Sequence, residues 1–439
     1  MTLLLSHLVF LALSVLSILS PSSAHSYHDN AYPGDSHQVP LTNPSTNDRT
    51  PDPLTDPNQA IFNAASVGVD ISQEPWSSKY GPQHDLGFSG PLSFSHLEYR
   101  RCLEDASMPF DIGIIGFPFD TKTSYRPGAR FGPFAIRSGS RRQMSGSGRG
   151  WTLAWGSSPY AQGSNVLDCG DVPLSPYDNS KALDQMEAAY DTLLSRPAPV
   201  HSGTDGKERY REHTKQFALD GKEHPRIVTL GGDHTIVLPI LRSLNKIYGP
   251  ISVIHFDAHL DTWPPMGTTT QESVNHGSFF AVAAEEGLLT NTSVHAGIRC
   301  KMIGFDDIQH DSTVGFQVIT TDDIDDYGVK KVVEKMRQRI GDKPVYLSLD
   351  IDVVDPGLAP ATGTPEVGGW TTREVKRILR GLTGLNFVGA DIVEVAPAYD
   401  HADITGIAAA DIVHDFLSMM LLDEPPRPHV GPFEEGEEL

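Results

Sequence analysis

The 439-residue sequence predicts an α/β layered domain with a mostly parallel sheet. Short apolar runs alternate along the chain with longer amphipathic or capped stretches, as strands and helices do in such domains. The short runs are apolar throughout instead of at every second residue, which is typical of parallel strands that helices cover on both faces. The composition agrees, because 39% hydrophobic and 21% charged residues suit a chain with a substantial core.

The candidate elements follow from these patterns in chain order. The strands are predicted at residues 111–116, 226–230, 251–256, 293–298, 345–349 and 387–393. The helices are predicted at residues 181–195, 235–247, 324–340, 371–382 and 404–422. The fourth helix begins with a capping box, since Thr371 lies three residues before Glu374.

The regions outside this pattern predict the domain organisation. Residues 1–24 have the layout of a secretory signal peptide that ends at Ala24, although a membrane anchor is the alternative because Lys and Arg are lacking before the apolar run. Residues 25–84 form a leader rich in Pro, Asn and Ser, and residues 423–439 form an acidic tail. The catalytic domain is then residues 85–422, with a polar insertion at about 197–225. We expect a secreted protein that leaves the membrane after signal cleavage.

The charge balance restricts the partners. With 34 Lys and Arg against 56 Asp and Glu, the formal net charge is −22. Such a chain repels phosphate backbones and anionic lipid, so we expect neither nucleic acid nor a membrane surface as partner. A small cationic substrate is attracted instead.

The three cysteines are Cys102, Cys169 and Cys300. An odd and small number excludes a disulfide scaffold, so the core must supply the stability. One disulfide and three buried thiols are both compatible with the sequence.

The first of three acidic, histidine-containing motifs follows the predicted strand 226–230. Functional groups in parallel sheets gather just beyond the carboxyl ends of strands. The motif Gly231-Gly232-Asp233-His234-Thr235 stands there, and its glycines allow a tight turn that leaves His234 facing the crevice. Taken alone, it favours a turn in which Asp233 caps the helix.

The second motif, Asp257-Ala258-His259-Leu260-Asp261, follows the strand 251–256. In extended chain, Asp257 and His259 point to the same side, and Asp261 can reach that side from the next turn. A solvated loop explains scattered acids, but it explains less well two acids that bracket a histidine directly after a buried strand. A metal site is the better interpretation.

The third motif places Asp350 and Asp352 at the end of the strand 345–349, on one side of the chain. Two like charges at close range must shift their protonation or share a cation. A turn cap is the alternative for one of them, but two unpaired carboxylates at a sheet end would be costly.

Together the three strand ends offer six donors for metal: His234, Asp257, His259, Asp261, Asp350 and Asp352. This set exceeds what one tetrahedral zinc requires, whereas two divalent ions balance the four carboxylates. The mix of oxygen and imidazole donors suits Mn²⁺, although affinity order alone favours Zn²⁺. Two neighbouring ions can lower the pKa of a shared water and present hydroxide to an electrophilic carbon.

The three motifs, read as GGDHT, DAHLD and SLDIDVVDP, resemble the ureohydrolase family of arginases and agmatinases. The segment 124–133, SYRPGARFGP, is similar to that family's Arg- and Gly-rich loop, and the resemblance covers roughly residues 110–422. It implies a three-layer α/β/α sandwich, two Mn²⁺ ions per subunit, a trimer or hexamer, and hydrolysis of a guanidino group to urea and an amine. It also implies that Asp257 and Asp350 bridge the two ions, with His234 and Asp261 on one and His259 and Asp352 on the other.

The resemblance implies two further roles. His276, in Asn275-His276-Gly277, becomes the candidate proton shuttle for the departing amine, although a lone loop histidine is more often only solvated. Glu394 becomes the acid that binds the guanidinium, although a structural cap is the alternative.

The substrate is predicted from what the chain lacks. It is similar to agmatinases more than to arginases, because residues 296–301 read AGIRCK without the acidic pattern that holds the α-amino and α-carboxylate groups of arginine. Agmatine, cleaved to putrescine and urea, is the first choice. Arginase activity is an alternative, and so is 4-guanidinobutyrate, whose carboxylate Arg299 or Lys301 can meet.

Two interpretations of other classes stay open. A deacetylase of the same superfold keeps one Zn²⁺ and typically uses a His-His pair, which this chain lacks. A catalytically inactive, secreted metal- or guanidine-binding protein would not need the complete set of ligands with His276 and Glu394.

Overall fold

The computed structural model describes residues 79, 85–147, 150–161, 163–199, 216–267, 269 and 274–426. The predicted signal peptide, nearly all of the predicted leader, residues 200–215 of the predicted insertion and most of the predicted tail lie outside the described residues. The boundaries of these regions therefore stay predictions.

The sheet has eight strands in the part of the chain that the structure describes. They are β1 (Ile112–Gly116), β2 (Val166–Asp171), β3 (Arg226–Leu230), β4 (Ser252–Phe256), β5 (Ser293–Ile298), β6 (Phe316–Thr320), β7 (Pro344–Asp350) and β8 (Asn386–Val393). Their spatial order is β2-β1-β3-β8-β7-β4-β5-β6, and every neighbouring pair is parallel. The predicted parallel α/β sheet is confirmed.

Eight α-helices accompany the strands within the described ranges. They are α1 (Gly132–Gly139), α2 (Asn179–Leu194), α3 (Val237–Tyr248), α4 (Phe279–Glu285), α5 (Phe305–Val314), α6 (Asp323–Ile340), α7 (Thr372–Leu382) and α8 (Ile404–Leu421). The six predicted strands and five predicted helices are all present, with ends that differ by at most two residues. The capping box of α7 is also present, because Thr371 accepts from the backbone N–H of Glu374 and the Glu374 side chain accepts from that of Thr371.

The prediction missed two strands and three helices, each for a local reason. In β2, Asp168 and Asp171 interrupt the apolar run, because both bind the buried Arg137. In β6, buried and exposed positions mix, as expected at a sheet edge. Helices α1 and α4 are only eight and seven residues long, and α5 is mostly polar, so none shows a clear helical period.

Two apolar clusters cover the two faces of the sheet. Alternate strand residues enter different clusters, as Ile114 and Ile115 of β1 do. The cluster with Ile114 includes buried residues of α6, α7 and α8, and the cluster with Ile115 includes those of α2, α3 and α4. The described residues from 85 onward therefore form the expected three-layer sandwich. Helix α8 is long and apolar enough to cross a membrane, but 78% of its apolar window is buried in this core.

The structure decides between the two alternatives for the cysteines, one disulfide or three buried thiols. Cys102 and Cys169 form a disulfide, which ties β2 to the segment before β1. Cys300 is a free, half-buried thiol.

We predict that Gly232→Ala destabilises the turn after β3. An added Cβ would lie 1.8 Å from the carbonyl oxygen of Phe119, which already accepts from the Asp233 N–H at 2.7 Å, so the backbone must shift. Overpacking of this kind costs about 1–3 kcal/mol of unfolding free energy. Urea denaturation measures it, with Gly87→Ala as the control, because a Cβ there has ordinary contacts of 3.6 Å or more. Equal stability of the two variants would refute the steric argument.

Candidate metal centre

Four neighbouring strands, β3, β8, β7 and β4, deliver the candidate site residues to one edge of the sheet. His234 lies in the 3₁₀ turn that follows β3, and Asp257, His259 and Asp261 follow β4. Asp350 ends β7, Asp352 lies in the next 3₁₀ turn, and Glu394 follows β8. All six predicted metal donors meet there. The aspartates and His234 are buried, and 17% of the His259 side chain is exposed.

The first donor group surrounds His234. Its Nδ1 lies 3.1 Å from Asp257 Oδ2, 3.1 Å from Asp261 Oδ2 and 3.5 Å from Asp350 Oδ2. Asp261 adopts a left-handed backbone with φ of 54°, which costs energy in a residue other than glycine. The fold therefore holds this carboxylate in the group against a local strain.

The second donor group surrounds His259. Its Nδ1 lies 3.2 Å from Asp257 Oδ1 and 2.9 Å from Asp352 Oδ2. The other oxygen of Asp352 accepts from the N–H of Ala258 at 3.0 Å, which fixes its orientation. Asp257 therefore directs one carboxylate oxygen to each group. Asp350 Oδ2 lies 3.5 Å from His234 Nδ1, and its Oδ1 accepts from the Asp352 N–H at 2.8 Å.

Hydrogen bonding fixes the tautomer of His234. The Ser348 hydroxyl donates to Asp391 Oδ1 at 2.9 Å, so its oxygen accepts from His234 Nε2–H at 2.8 Å. The Nδ1 atom of the neutral ring then carries a lone pair, and it has no hydrogen-bond partner in the described structure. A lone pair among three carboxylate oxygens is repulsive unless a cation lies between them. The donor set therefore fits a metal ion.

The charges of the buried carboxylates also favour a bound metal ion. Burial and the neighbouring carboxylates raise the pKa of Asp350 well above its usual range and the pKa of Asp352 to about 6. Burial opposes ionisation of Asp257 as well, but His255, His234 and His259 hold its pKa well below the usual range. The cluster thus needs positive charge to keep all its carboxylates ionised.

The pair of Glu394 and His276 lies next to the first group. Glu394 Oε1 accepts from the backbone N–H of His234 at 2.9 Å and lies 3.2 Å from His276 Nδ1. Its Oε2 has no partner among the described residues, and its backbone is left-handed with φ of 61°. A buried carboxylate oxygen is therefore available to a cationic ligand.

His276 has neighbours that favour opposite protonation states. Burial opposes its charge, but the hydrogen bond and charge of Glu394 raise the pKa of His276 to about 9. On the other side, Ser124 N–H donates to His276 Nε2 at 3.0 Å, which favours an unprotonated Nε2, and the Ser124 hydroxyl lies 2.8 Å away. An imidazole with a carboxylate at one nitrogen and a serine at the other can take up and release a proton.

A cavity of about 390 Å³ opens beside the second group. Its lining residues are Tyr125, Arg126, His259, Thr364, Pro365 and Glu366. Tyr125 and Arg126 belong to residues 124–133, the loop that resembles the family's Arg- and Gly-rich loop, so this loop contributes to the cavity wall. The volume is that of a pocket for a small molecule.

Sequence reasoning missed several polar residues beneath the site. His255 packs against Asp257, with Nε2 3.0 Å from Asp257 Oδ2, and Ser348 and Asp391 support His234. They lie inside strands, where polar residues read as interruptions of an apolar run. Their spacing was the available signal, since His255 and Ser348 each stand two residues before a predicted ligand and share its face.

The fold and the site define an α/β enzyme with a buried aspartate and histidine centre at the carboxyl edge of its sheet. The Arginase family profile matches residues 110–419. A Schizosaccharomyces pombe protein with the provisional name agmatinase 1 is 50% identical over 77% of this chain and 84% of its own. The agmatinase of Chromobacterium violaceum is 36% identical over 78% of this chain and 92% of its own. Among solved structures, proclavaminate amidino hydrolase from Streptomyces clavuligerus matches with a TM-score of 0.65 and 33% identity, covering 77% of this chain and 99% of that one.

The chain belongs to the arginase family. It is a hydrolase that acts on carbon–nitrogen bonds of linear amidines. The resemblance noted from the three motifs is confirmed.

We predict that Asp350→Ala removes at least one metal ion per chain and abolishes turnover, while the fold is retained. The substitution deletes the carboxylate that lies 3.5 Å from His234 Nδ1 and frees the N–H of Asp352. Metal analysis after stripping and reloading measures the loss, and circular dichroism checks the fold. Asp342→Ala is the control, since this exposed aspartate lies before the amino end of the same strand. Wild-type metal content and activity in Asp350→Ala would contradict the assignment.

Proposed function

We propose that this protein is a binuclear manganese hydrolase that cleaves agmatine to putrescine and urea. The observation that carries the proposal is Asp257, which directs Oδ2 to the His234 group and Oδ1 to the His259 group. A carboxylate shared between two donor groups is suited to two ions a few ångströms apart. The agmatinase names of the relatives support the choice of substrate.

The donors suit manganese. Carboxylate oxygens and imidazole nitrogens make up both groups, and the one free cysteine, Cys300, belongs to neither. His234, Asp257, Asp261 and Asp350 would hold one ion, and His259 and Asp352, with the other oxygen of Asp257, would hold the second. The bridging role that the resemblance implies for Asp350 as well stays a prediction. When bound, divalent manganese supplies a hydroxide nucleophile near neutral pH, because it lowers the pKa of water.

Glu394 orients the substrate. A guanidinium is planar and presents paired N–H donors, which a carboxylate accepts with good geometry. Oε2 of Glu394 is the available acceptor, and the close approach of Gly363, whose added Cβ would lie 3.4 Å from it, leaves a narrow space for a flat group. The guanidinium carbon is thereby held beside the donor groups.

His276 delivers the proton that the leaving amine requires. Carbon–nitrogen cleavage from a tetrahedral centre is slow unless the departing nitrogen is protonated. Nε2 of His276 accepts from the Ser124 N–H, and Nδ1 lies 3.2 Å from Glu394, so Nδ1 is the ring nitrogen on the substrate side. Ser124 steadies the ring in that orientation.

The contacts of Arg299 and Lys301 support agmatine over a substrate with a carboxylate. Arg299 donates to the backbone carbonyl oxygens of Gly297, Asp352, Val353 and Glu366. Lys301 pairs with Glu366 at 2.8 Å. Arg299 and Lys301, the two cations that the sequence offered for a substrate carboxylate, are therefore engaged by other groups of the protein.

We predict that the manganese-loaded protein releases urea from agmatine with a kcat/KM at least about tenfold above that for L-arginine or 4-guanidinobutyrate, because a buried carboxylate without a partner costs more than about 1.4 kcal/mol. A parallel urea assay on the three compounds measures the preference. A clear preference for L-arginine would overturn the substrate choice and leave the metal site standing.

One observation favours 4-guanidinobutyrate as a second candidate. The guanidinium of Arg126 lines the cavity, stacked 5.2 Å from the rings of Tyr125 and Tyr399. A substrate carboxylate can reach a guanidinium placed at the cavity wall. The same urea assay decides between the two substrates. If kcat/KM is highest on 4-guanidinobutyrate, and Arg126→Gln loses this preference, 4-guanidinobutyrate replaces agmatine as the proposed substrate.

We predict that His276→Asn lowers kcat by about 10²–10⁴-fold, because the general acid is lost. The pKa of His276 is raised to about 9, so the wild type keeps the acid form below that pH and loses it as pH rises through it. The kcat profile of the wild type should fall on that alkaline side, and the variant should lack this limb. His401→Asn, an exposed loop histidine, is the control. An unchanged profile in His276→Asn would exclude the role.

The proposal also includes export and assembly. The predicted signal peptide would bring the protein out of the cell, and the family resemblance implies a trimer or hexamer. A one-zinc deacetylase and an inactive binding protein are the competing classes, and they separate by metal analysis and by the urea assay. About two manganese ions per chain with turnover supports the hydrolase.

A further inference from the structure

A row of buried polar side chains crosses five neighbouring strands beneath the donor groups. Register pairs connect Thr229 with Asp391, Asp391 with Ser348, Ser348 with His255, and His255 with His295. All five side chains are fully buried. They face the side of the sheet that α2, α3 and α4 cover. A polar row inside an apolar layer is costly unless its members bind one another or another group.

The row lies one layer below the metal donors. His255 stands two residues before Asp257, and Ser348 stands two residues before Asp350. Because successive strand residues alternate between faces, residues two apart share one face. The row can therefore support the donors directly. Ser348 and Asp391 do so for His234 through the hydrogen bonds described above.

The other half of the row supports Asp257. His255 Nε2 lies 3.0 Å from Asp257 Oδ2, and His255 Nδ1 lies 2.7 Å from His295 Nδ1. His295 Nε2 donates to Asp311 Oδ1 at 2.8 Å, and the same oxygen accepts from the Thr262 hydroxyl at 2.7 Å. A series of contacts thus runs from Asp311 of α5 through two imidazoles to the carboxylate that both donor groups share, and its last step, from His255 Nε2 to Asp257 Oδ2, is a close contact without hydrogen-bond geometry.

Aromatic packing removes the freedom of the two imidazoles. His295 stacks on Phe316 with a centroid distance of 4.0 Å and an interplanar angle of 9°. His255 lies edge-on to Phe280 at 4.9 Å. Rings that pack against aromatic neighbours and contact polar groups through their nitrogens cannot rotate without breaking several contacts. Asp257 therefore meets a rigid neighbour.

We propose that His255, His295 and Asp311 are positioning residues that set the orientation of the Asp257 carboxylate between the two metal ions. This inference rests on the proposed function, because it concerns how the site holds manganese. Asp257 serves both donor groups only while Oδ1 and Oδ2 face them at the same time. Rotation of the carboxylate would withdraw an oxygen from one group or from both. Residues that orient a metal ligand typically contribute about 10–100-fold to metal affinity.

The test measures manganese binding directly. The full chain is stripped of metal and titrated with Mn²⁺, and the electron paramagnetic resonance signal of free Mn²⁺ gives the dissociation constant and the number of ions bound. The variants are His295→Phe, which keeps a ring against Phe316, and Asp311→Asn, which keeps the shape and changes the charge. We expect the dissociation constant to rise about 10–100-fold in each variant.

A matched control separates positioning from general stability. His224→Phe also replaces a buried histidine, and it lies just before the amino end of β3, at the edge of the sheet opposite the site. Thermal unfolding of the metal-free proteins should show similar losses for His295→Phe and His224→Phe, whereas only the former weakens manganese binding. If His295→Phe does not fold, the nearly isosteric Asp311→Asn carries the test.

The outcomes distinguish the two proposals. A wild type that binds manganese and releases urea, with variants whose manganese affinity stays within about twofold, refutes the positioning role alone. A wild type that binds no manganese refutes the proposed function. Weaker binding in both positioning variants, with unchanged affinity in His224→Phe, supports the inference.

Discussion

The structure depends on a concentration of buried negative charge at one edge of a parallel sheet. Four aspartates lie within 3.5 Å of His234 or His259, and all four are buried. Such carboxylates stay ionised together only when positive charge lies among them. The tautomer of His234, set by Ser348 and Asp391, turns a lone pair toward the same point. The arrangement thus favours cations. Burial opposes a charge on His234, but Asp257, Asp261 and Asp350 raise its pKa well above the usual range.

The strand order explains how distant parts of the chain converge. β3, β8, β7 and β4 are consecutive in space, although residues 233 and 394 are far apart in sequence. Each strand ends at the same edge, so each contributes a turn with one or two donors. The two strained residues in this region, Asp261 and Glu394, belong to such turns. Strain at these positions indicates that the surrounding fold holds both residues in place for a chemical role, at the expense of a low-energy backbone conformation.

Much of this could be predicted from the sequence, because strand ends and residue spacing are local properties. The donors after β3, β4 and β7 can be recognised in the sequence because they directly follow apolar runs. The structure brings all six together. The proximity of His276 and Glu394 was inferred only through the family resemblance, since 118 positions separate them. The roles of these residues as ligands and shuttle stay predictions, although their placement agrees with them.

Other features needed the three-dimensional structure. The engagement of Arg299 by four backbone carbonyl oxygens is a tertiary property that no local pattern contains. The row of buried polar side chains is also a tertiary property, because His255 and His295 become partners only when β4 and β5 pair. Strand β2 escaped prediction because its polar residues serve Arg137 of a helix that is remote in sequence. Long-range pairing, not local preference, decides these cases.

The bond between Cys102 and Cys169 bears on how the molecule is made. It fastens the outermost strand on one side of the sheet to the segment before β1, which also pairs with this strand at Tyr99 and Asp168. Sulfur–sulfur linkages of this kind belong to secretory routes and are rare where glutathione keeps thiols reduced. Protein synthesised in the cytosol of an expression host would therefore keep both cysteines reduced. Passage through an oxidising compartment would form the disulfide.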